Sequence, residues 1–262
     1  MAQDRTLAVI TGASSGIGFE LARCAAADGC DLVLAAEEPE ILAVGNILRK
    51  EGVQVDVVEA DLGTRSGLDQ LWDVLEDRHI DYLMANAGRG LGHAFLEQDW
   101  SDIEDVVHTN VTGTTALLHR AIPEMQAAGN GRILITGSLA GSIPGSYQAV
   151  YNATKTYLDT LSWAIREELK GSGVTVTCLM PGPTDTEFFE RANMQDTPIG
   201  QSDSKDDPAM VARKGYQAML RGASGVTTGF MNKVQQALTE IVPETVLARM
   251  HRETAEPQEP SK

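Results

Sequence analysis

Residues 6–29 read TLAVITGASSGIGFELARCAAADG, and few folds accommodate that order. The run TLAVIT is short, β-branched and almost continuously apolar, the pattern of a strand buried on both faces. Three glycines follow with the spacing G-x3-G-x-G, and a helical pattern begins immediately after them. Gly12 permits a tight turn off the strand. Gly16 lets backbone N–H groups approach an anion at the helix N-terminus, where the dipole favours negative charge. Gly18 lets the helix pack close to the sheet. Ser14 and Ser15 add hydroxyl donors, and Ile17 lies within the same turn. A glycine turn alone is a weak signal. Its position between a first strand and a first helix turns it into a site for the pyrophosphate of a dinucleotide.

The rest of the chain repeats the alternation. Strand-like runs occupy 6–11, 31–36, 53–60, 80–85, 132–137 and 174–180, with helical patterns near 17–28, 40–51, 65–78, 101–128 and 147–170. This predicts an α/β fold: a Rossmann-type, doubly wound parallel sheet in three layers. The polar, Pro- and Gly-rich stretch from 181 to 208 is too long for a plain connection, and a lid over about 183–210 is expected. Helical patterns near 208–221 and 231–251 follow, the second an extra C-terminal helix. No composition shift marks a second unit, so residues 1–251 are expected to form one domain and 252–262 a disordered tail.

The 262 residues carry a net charge of −16, which argues against binding nucleic acid or an anionic membrane. The cysteines, Cys24, Cys30 and Cys178, are odd in number and lack CxxC spacing, so neither a disulfide framework nor a metal site is expected. The N-terminus has no signal-peptide layout, and no apolar run reaches the ~20 residues of a membrane span. A cytoplasmic protein is expected.

The second strand ends in LVLAAEEPEIL. An acidic side chain at that tip accepts hydrogen bonds from an adenosine ribose, and Glu37 is suitably spaced from the glycine turn. A carboxylate there repels a 2′-phosphate, and no Arg or Lys is expected nearby to welcome one. NAD is therefore expected over NADP. The alternative is that Glu37 and Glu38 are solvated acids opening a helix around Pro39.

Tyr151 and Lys155 stand at i and i+4, sharing a helix face. An ammonium beside a phenol favours phenolate, which predicts a tyrosine pKa below its ordinary ~10. Ser138 closes the preceding strand, where parallel strands present their ends to ligands. Ser138 and Tyr151 can thus address one substrate oxygen.

In TGASSGIG (11–18), DL (61–62), NAG (86–88), Asn110, Ser138, YNATK (151–155) and PGPTDTEF (181–188), the chain resembles the short-chain dehydrogenase/reductase family over residues 5–190. The resemblance implies interconversion of a secondary alcohol and a ketone by hydride transfer to or from NAD(P). It implies that Ser138 polarises the carbonyl, that Tyr151 is the general acid or base, and that Lys155 lowers the Tyr151 pKa and holds the nicotinamide ribose. Asn110 would bend its helix and anchor a water. Asp61 and Leu62 would flank the adenine, Asn86, Ala87 and Gly88 would line the dinucleotide, and Pro181, Gly182, Thr184 and Thr186 would contact the nicotinamide side.

Tyr147 either faces the substrate or packs at the helix start, with Ser146 as a candidate N-cap. His93 is a candidate pocket residue. His79, His108, His119 and His251 show no ligand spacing and are read as surface or packing residues. Phe188, Phe189 and Met194 are candidates for an apolar wall in the lid. Many relatives end in a short closing strand that builds a tetramer. After Gly229 this chain reads as helical, so a homodimer is favoured, with a tetramer as the alternative. Two rival readings are a non-catalytic dinucleotide-binding regulator on the same fold and a sugar-nucleotide epimerase. An intact Ser–Tyr–Lys set disfavours the first, and the few residues after the lid disfavour the second.

Overall fold

The computed structural model describes residues 5–76, 78–229 and 242–258. Seven parallel strands form one sheet in the order β3-β2-β1-β4-β5-β6-β7. They are β1 (Leu7–Thr11), β2 (Asp31–Ala36), β3 (Val55–Glu59), β4 (Tyr82–Ala85), β5 (Gly131–Thr136), β6 (Val174–Met180) and β7 (Gly225–Thr227). The helices are α1 (Gly16–Ala27), α2 (Glu40–Leu48), α3 (Arg65–Leu75), α4 (Trp100–Val107), α5 (Thr114–Ala128), α6 (Ala149–Glu168), α7 (Phe188–Arg191), α8 (Pro208–Leu220) and α9 (Glu244–Ala255). This is the doubly wound Rossmann-type architecture expected. The strand order reverses between β1 and β4, which opens a crevice beyond their C-terminal ends.

Both sheet faces are covered. Val9, Val33, Leu83 and Ile133 point to the layer of α3, α5 and α6, against Leu71, Leu117 and Leu158. Ile10, Leu34, Met84 and Leu134 point to the opposite layer, against Leu21 of α1, Ile41 of α2 and Val211 of α8. Successive strand residues feed opposite cores, which is why the strand sequences read as unbroken apolar runs. Truncating any one of these fully buried leucines to alanine costs about 2–5 kcal/mol.

Four expectations are corrected. The sequence pattern supplied six strands, and the structure adds β7. Its three residues are too few to carry a period, but they pair with the open edge of β6 through Cys178–Met180. The single helix expected over 101–128 is two helices joined by a π-helical turn, His108–Gly113. The helix expected from 147 begins at Ala149, because Tyr147 takes a left-handed φ of 63°. Ser146 does not cap it, since its hydroxyl donates to the Ala248 carbonyl of α9 at 2.8 Å. Finally, α9 runs to Ala255, and the Gln258 N–H donates to the Asp196 carbonyl at 2.9 Å, so 252–258 is ordered against the lid instead of forming a loose tail. Of the helix expected over 231–251, residues 231–241 lie outside the described residues and 244–251 are helical within α9; 259–262 also lie outside the described residues.

Candidate active site

The C-terminal ends of β1, β2, β4, β5 and β6 open onto one cavity of about 930 Å³. The lid from Pro183 to Ser204 covers it, and α9 closes one end. Of the expected residues, Gly12, Ser14, Ser15, Gly16, Ile17, Glu37, Asn86, Gly88, Ser138, Tyr151, Lys155, Pro181, Gly182, Thr184 and Thr186 all line it.

The β1–α1 turn is tied into the sheet. Gly12 and Gly16 have φ of 63° and 53°, which side chains other than glycine seldom adopt. A Cβ at Gly18 would strike the Gly12 carbonyl, so this glycine packs the helix and lies off the cavity. Asn86 bridges three strand ends. Its Nδ2 donates to the Thr11 and Gly12 carbonyls at 3.2 and 3.3 Å, and its Oδ1 accepts from Thr136 Oγ1 at 3.0 Å. Ser15 is the N-cap of α1, yet its side chain makes no capping bond. The first N–H groups of α1 thus lack a side-chain cap where the turn meets the cavity.

At the tip of β2, Glu37 pairs with Arg89. Glu38 accepts from Ser14 Oγ at 2.9 Å and from Arg191 of the lid at 2.5 Å. The expectation that no basic residue stands near the tip is therefore wrong. Arg89, from the loop after β4, and Arg191, from α7, lie 52 and 153 residues away from their partners, beyond the reach of any local sequence signal.

Tyr151, Lys155 and Asp159 lie at successive turns of α6. Burial pushes the Tyr151 phenol up to about 12, against the opposing pull of a hydrogen bond with Ser138. Burial also pushes Lys155 down to about 8, with the Asp159 carboxylate pulling it back up. The lowered tyrosine pKa expected from the Tyr–Lys spacing is thus not the state of this site. The Lys155 ammonium donates to the Thr136 carbonyl at 2.8 Å and sits 5.9 Å from the Tyr151 ring centre. Asp159, which the sequence reading passed over, is raised to about 6, first by burial. Its Oδ1 accepts from the Ser138 N–H at 3.4 Å and from the Cys178 thiol at 3.3 Å.

Asn110 is wholly buried in the π-helical turn. It accepts from the Arg89 N–H at 2.8 Å and donates to the Arg89 carbonyl and to Thr154 Oγ1, both at 2.9 Å. Asn110 does not border the cavity.

Other expected residues are also not brought to it. Ala87 gives its N–H to Thr11 Oγ1 at 3.0 Å. Asp61 accepts from the Gly63 N–H at 2.8 Å, and Leu62 is buried in the core. Tyr147 donates its hydroxyl to Glu256 and packs with Phe189 and Met194. His93 takes a left-handed φ of 72°, and its carbonyl accepts from Gln98 at 3.0 Å. In the lid, Phe188 and Phe189 do form cavity wall, with the Phe188 ring centre 5.1 Å from that of Tyr151. Met194 is fully buried beneath them and accepts from Gln148 at 3.0 Å.

The sequence profile of the short chain dehydrogenases matches residues 6–197. The chain belongs to this family of oxidoreductases. It is 30% identical over 239 residues to an uncharacterised oxidoreductase of Myxococcus xanthus, covering 90% of this chain and 92% of that one. Its fold matches a short-chain dehydrogenase of Sphingobium yanoikuyae, solved in complex with NADPH, with a TM-score of 0.80 and 28% identity over 91% of this chain and 97% of the other. It also matches a bulky-bulky ketone specific alcohol dehydrogenase of Comamonas testosteroni, with a TM-score of 0.77 and 26% identity over 92% and 96% of the two chains.

Proposed function

We propose that the protein is an NAD-dependent oxidoreductase that interconverts a secondary alcohol and a ketone. One observation carries this reading: Ser138, Tyr151 and Lys155 line the same cavity as the glycine turn from Gly12 to Ile17. The residues present fit a dinucleotide. A Cβ at Gly16 would meet the Thr186 side chain at 2.9 Å, so only a bare backbone lets Thr186 pack this closely on the turn, and the N-cap Ser15 leaves the first N–H groups of α1 without a side-chain partner. The helix N-terminus beside it suits a pyrophosphate. The nicotinamide supplies or accepts the hydride when bound.

The chain's own residues supply the rest. Ser138 orients the carbonyl oxygen. Tyr151, protonated at neutral pH, delivers its proton to that oxygen in reduction and retrieves it in oxidation. Lys155, held on the Thr136 carbonyl at the edge of the cavity, would hold a ribose hydroxyl of the dinucleotide and bring positive charge to the reacting end. Asn110 acts one layer back, holding the Arg89 backbone and the α4–α5 bend in place.

Glu37 and Glu38 support NAD over NADP. Each carboxylate faces the cavity and each occupies one arginine, so the tip offers little positive charge to a 2′-phosphate. The short-chain dehydrogenase of Sphingobium yanoikuyae was solved with NADPH, so the preference for NAD rests on Glu37 and Glu38 and not on the family.

The proposal extends to one catalytic domain acting as a cytoplasmic homodimer. Among the described residues, no helix is long and apolar enough to cross a membrane. Apolar side chains of α4 and α6, including Val107, Val150 and Ala153, line an open groove beside half-exposed Phe95, a surface suited to a second copy. Light scattering that returned a monomer or tetramer would remove the dimer.

The test of the enzyme reading is a panel of ketones and alcohols assayed with NADH, NADPH and their oxidised forms. Turnover that nearly vanishes in Tyr151→Phe, with NADH affinity retained, supports it. Tight NADH binding without turnover of any carbonyl would favour the regulator instead.

A further inference from the structure

The cavity extends beyond the residues assigned to the dinucleotide, and its far end is closed by an element outside the region where the family profile matches. Leu247, Met250, His251 and Thr254 of α9 all line it. Their spacing is i, i+3, i+4 and i+7, a single face of one helix. This face is fixed to the catalytic segment itself. Ser146 Oγ donates to the Ala248 carbonyl at 2.8 Å. The buried His251 ring bonds the Ser146 carbonyl through Nδ1 at 2.8 Å and contacts Asn152 Nδ2 at 3.5 Å. Asn152 follows Tyr151 directly on α6, so α9 is anchored to the catalytic segment one residue from Tyr151.

The other end of α9 is fixed to the lid. The Ile199 N–H donates to the Thr254 carbonyl at 3.0 Å, and Tyr147 donates to Glu256. Ala255 packs with Phe189 and Met194. Two separate anchors thus hold a cavity-facing helix across the space in front of Tyr151. What α9 presents there is chiefly apolar, Leu247 and Met250, and the facing walls are Phe188, Phe189 and Ile143. Burial pushes the His251 pKa down from its ordinary value, which disfavours a charge at this wall.

We infer that α9 is the specificity wall of the active site, and that the substrate is an uncharged secondary alcohol or ketone whose bulky apolar substituent packs on Leu247 and Met250. The inference rests on the oxidoreductase reading above and deepens it. An apolar wall selects by fit, and one methylene more or less shifts discrimination by about tenfold or more. Among the described residues, the α9 face that lines the cavity carries no cation for a substrate carboxylate, and the two arginines that line the cavity, Arg89 and Arg191, are paired with Glu37 and Glu38.

The experiment compares wild type with Leu247→Trp, Met250→Ala and Leu247→Ala. Each is assayed with NADH on 2-butanone, butyrophenone and pyruvate, and each NADH-loaded protein is tested for a thermal shift on adding butyrophenone. Wild type is expected to prefer butyrophenone. Leu247→Trp is expected to lose about tenfold or more in kcat/KM on butyrophenone while 2-butanone changes little. The alanine variants are expected to alter the ranking without altering NADH affinity. Met250 is 55% exposed, so its truncation leaves folding intact and keeps the test decisive. An unchanged ranking across all variants, or a preference for pyruvate, overturns the inference. If wild type reduces no carbonyl, the oxidoreductase reading fails by itself. The thermal shift then still decides whether an apolar ligand sits against α9: a shift abolished by Leu247→Trp supports the wall, and a shift indifferent to it refutes it.

Discussion

The Lys155 ammonium is hydrogen-bonded to the Thr136 carbonyl at 2.8 Å, while the centre of the Tyr151 ring lies 5.9 Å away. The two residues share a helix face, yet the lysine serves the end of β5 and the phenol points into a buried pocket. Burial therefore decides both pKa values, with Tyr151 near 12 and Lys155 near 8. Without dinucleotide, the Tyr151 phenol should not ionise before an ordinary tyrosine does, near pH ~10. A tyrosinate absorbance titration, wild type minus Tyr151→Phe, checks this. A difference signal appearing below about pH 9 would show that the lysine already governs the phenol.

Asp159 sets how long that lysine stays charged. Its carboxylate pulls the Lys155 pKa upward against burial, so Asp159→Asn should move the alkaline limb of kcat/KM to lower pH. The amide preserves an acceptor for the Ser138 N–H and the Cys178 thiol, so geometry is a minor variable. A pH profile with an unmoved alkaline limb would remove Asp159 from the site.

The same carboxylate should leave a mark on stability. Its pKa rises from 3.8 unfolded to about 6 folded. A raised pKa means that the folded chain binds the proton more tightly, so the contribution is complete below 3.8 and is lost as pH rises through about 6. Relative to Asp159→Asn, wild type should therefore gain thermal stability as pH falls from 6 to 4. Melting midpoints of the two proteins over that window give the answer, and a constant difference would contradict it.

Much of this site was readable before any coordinates. The glycine turn, Ser138, Tyr151 and Lys155 are placed by local rules: strand, turn, helix and an i, i+4 pair. What the sequence concealed depends on pairs far apart in the chain. Arg89 and Arg191 reach Glu37 and Glu38 only because the loop after β4 and the α7 helix converge on the β2 tip. Asp159 gains its role from glycines at 137 and 141, whose missing side chains leave it room, since a Cβ at either would collide with its carboxylate. The Tyr151 pKa was misjudged because spacing gives distance along a helix and says nothing about burial. The sequence leaves His251 as either a surface or a packing residue, and only the fold shows it buried against Ser146 and Asn152.

The β2 tip gives a direct prediction for cofactor choice. Glu37→Gln with Glu38→Gln removes two carboxylates and frees Arg89 entirely, while Arg191 keeps its second partner, Glu187. The ratio of kcat/KM for NADPH over NADH should rise by about tenfold or more, the equivalent of ~1.4 kcal/mol. Each single variant should give a smaller change. A ratio unchanged in the double variant would mean that these acids serve only the lid and leave cofactor choice to other residues.

Gly18 tests whether close packing of α1 is what shapes the phosphate turn. A methyl at this position would strike the Gly12 carbonyl and approach Asn86 Nδ2 to 2.6 Å, so α1 must lift from the sheet. Overpacking of this kind costs about 1–3 kcal/mol. In a chain of this size each kcal/mol corresponds to a loss of roughly 2–4 °C in Tm. The displaced helix also carries its N-terminal N–H groups away from the cavity. Gly18→Ala should therefore melt several degrees lower and bind NADH more weakly, even at temperatures where circular dichroism shows it fully folded. Weakened binding in the folded variant separates a misplaced turn from simple unfolding, and unchanged Tm and NADH affinity together would show that the helix has slack the packing does not reveal.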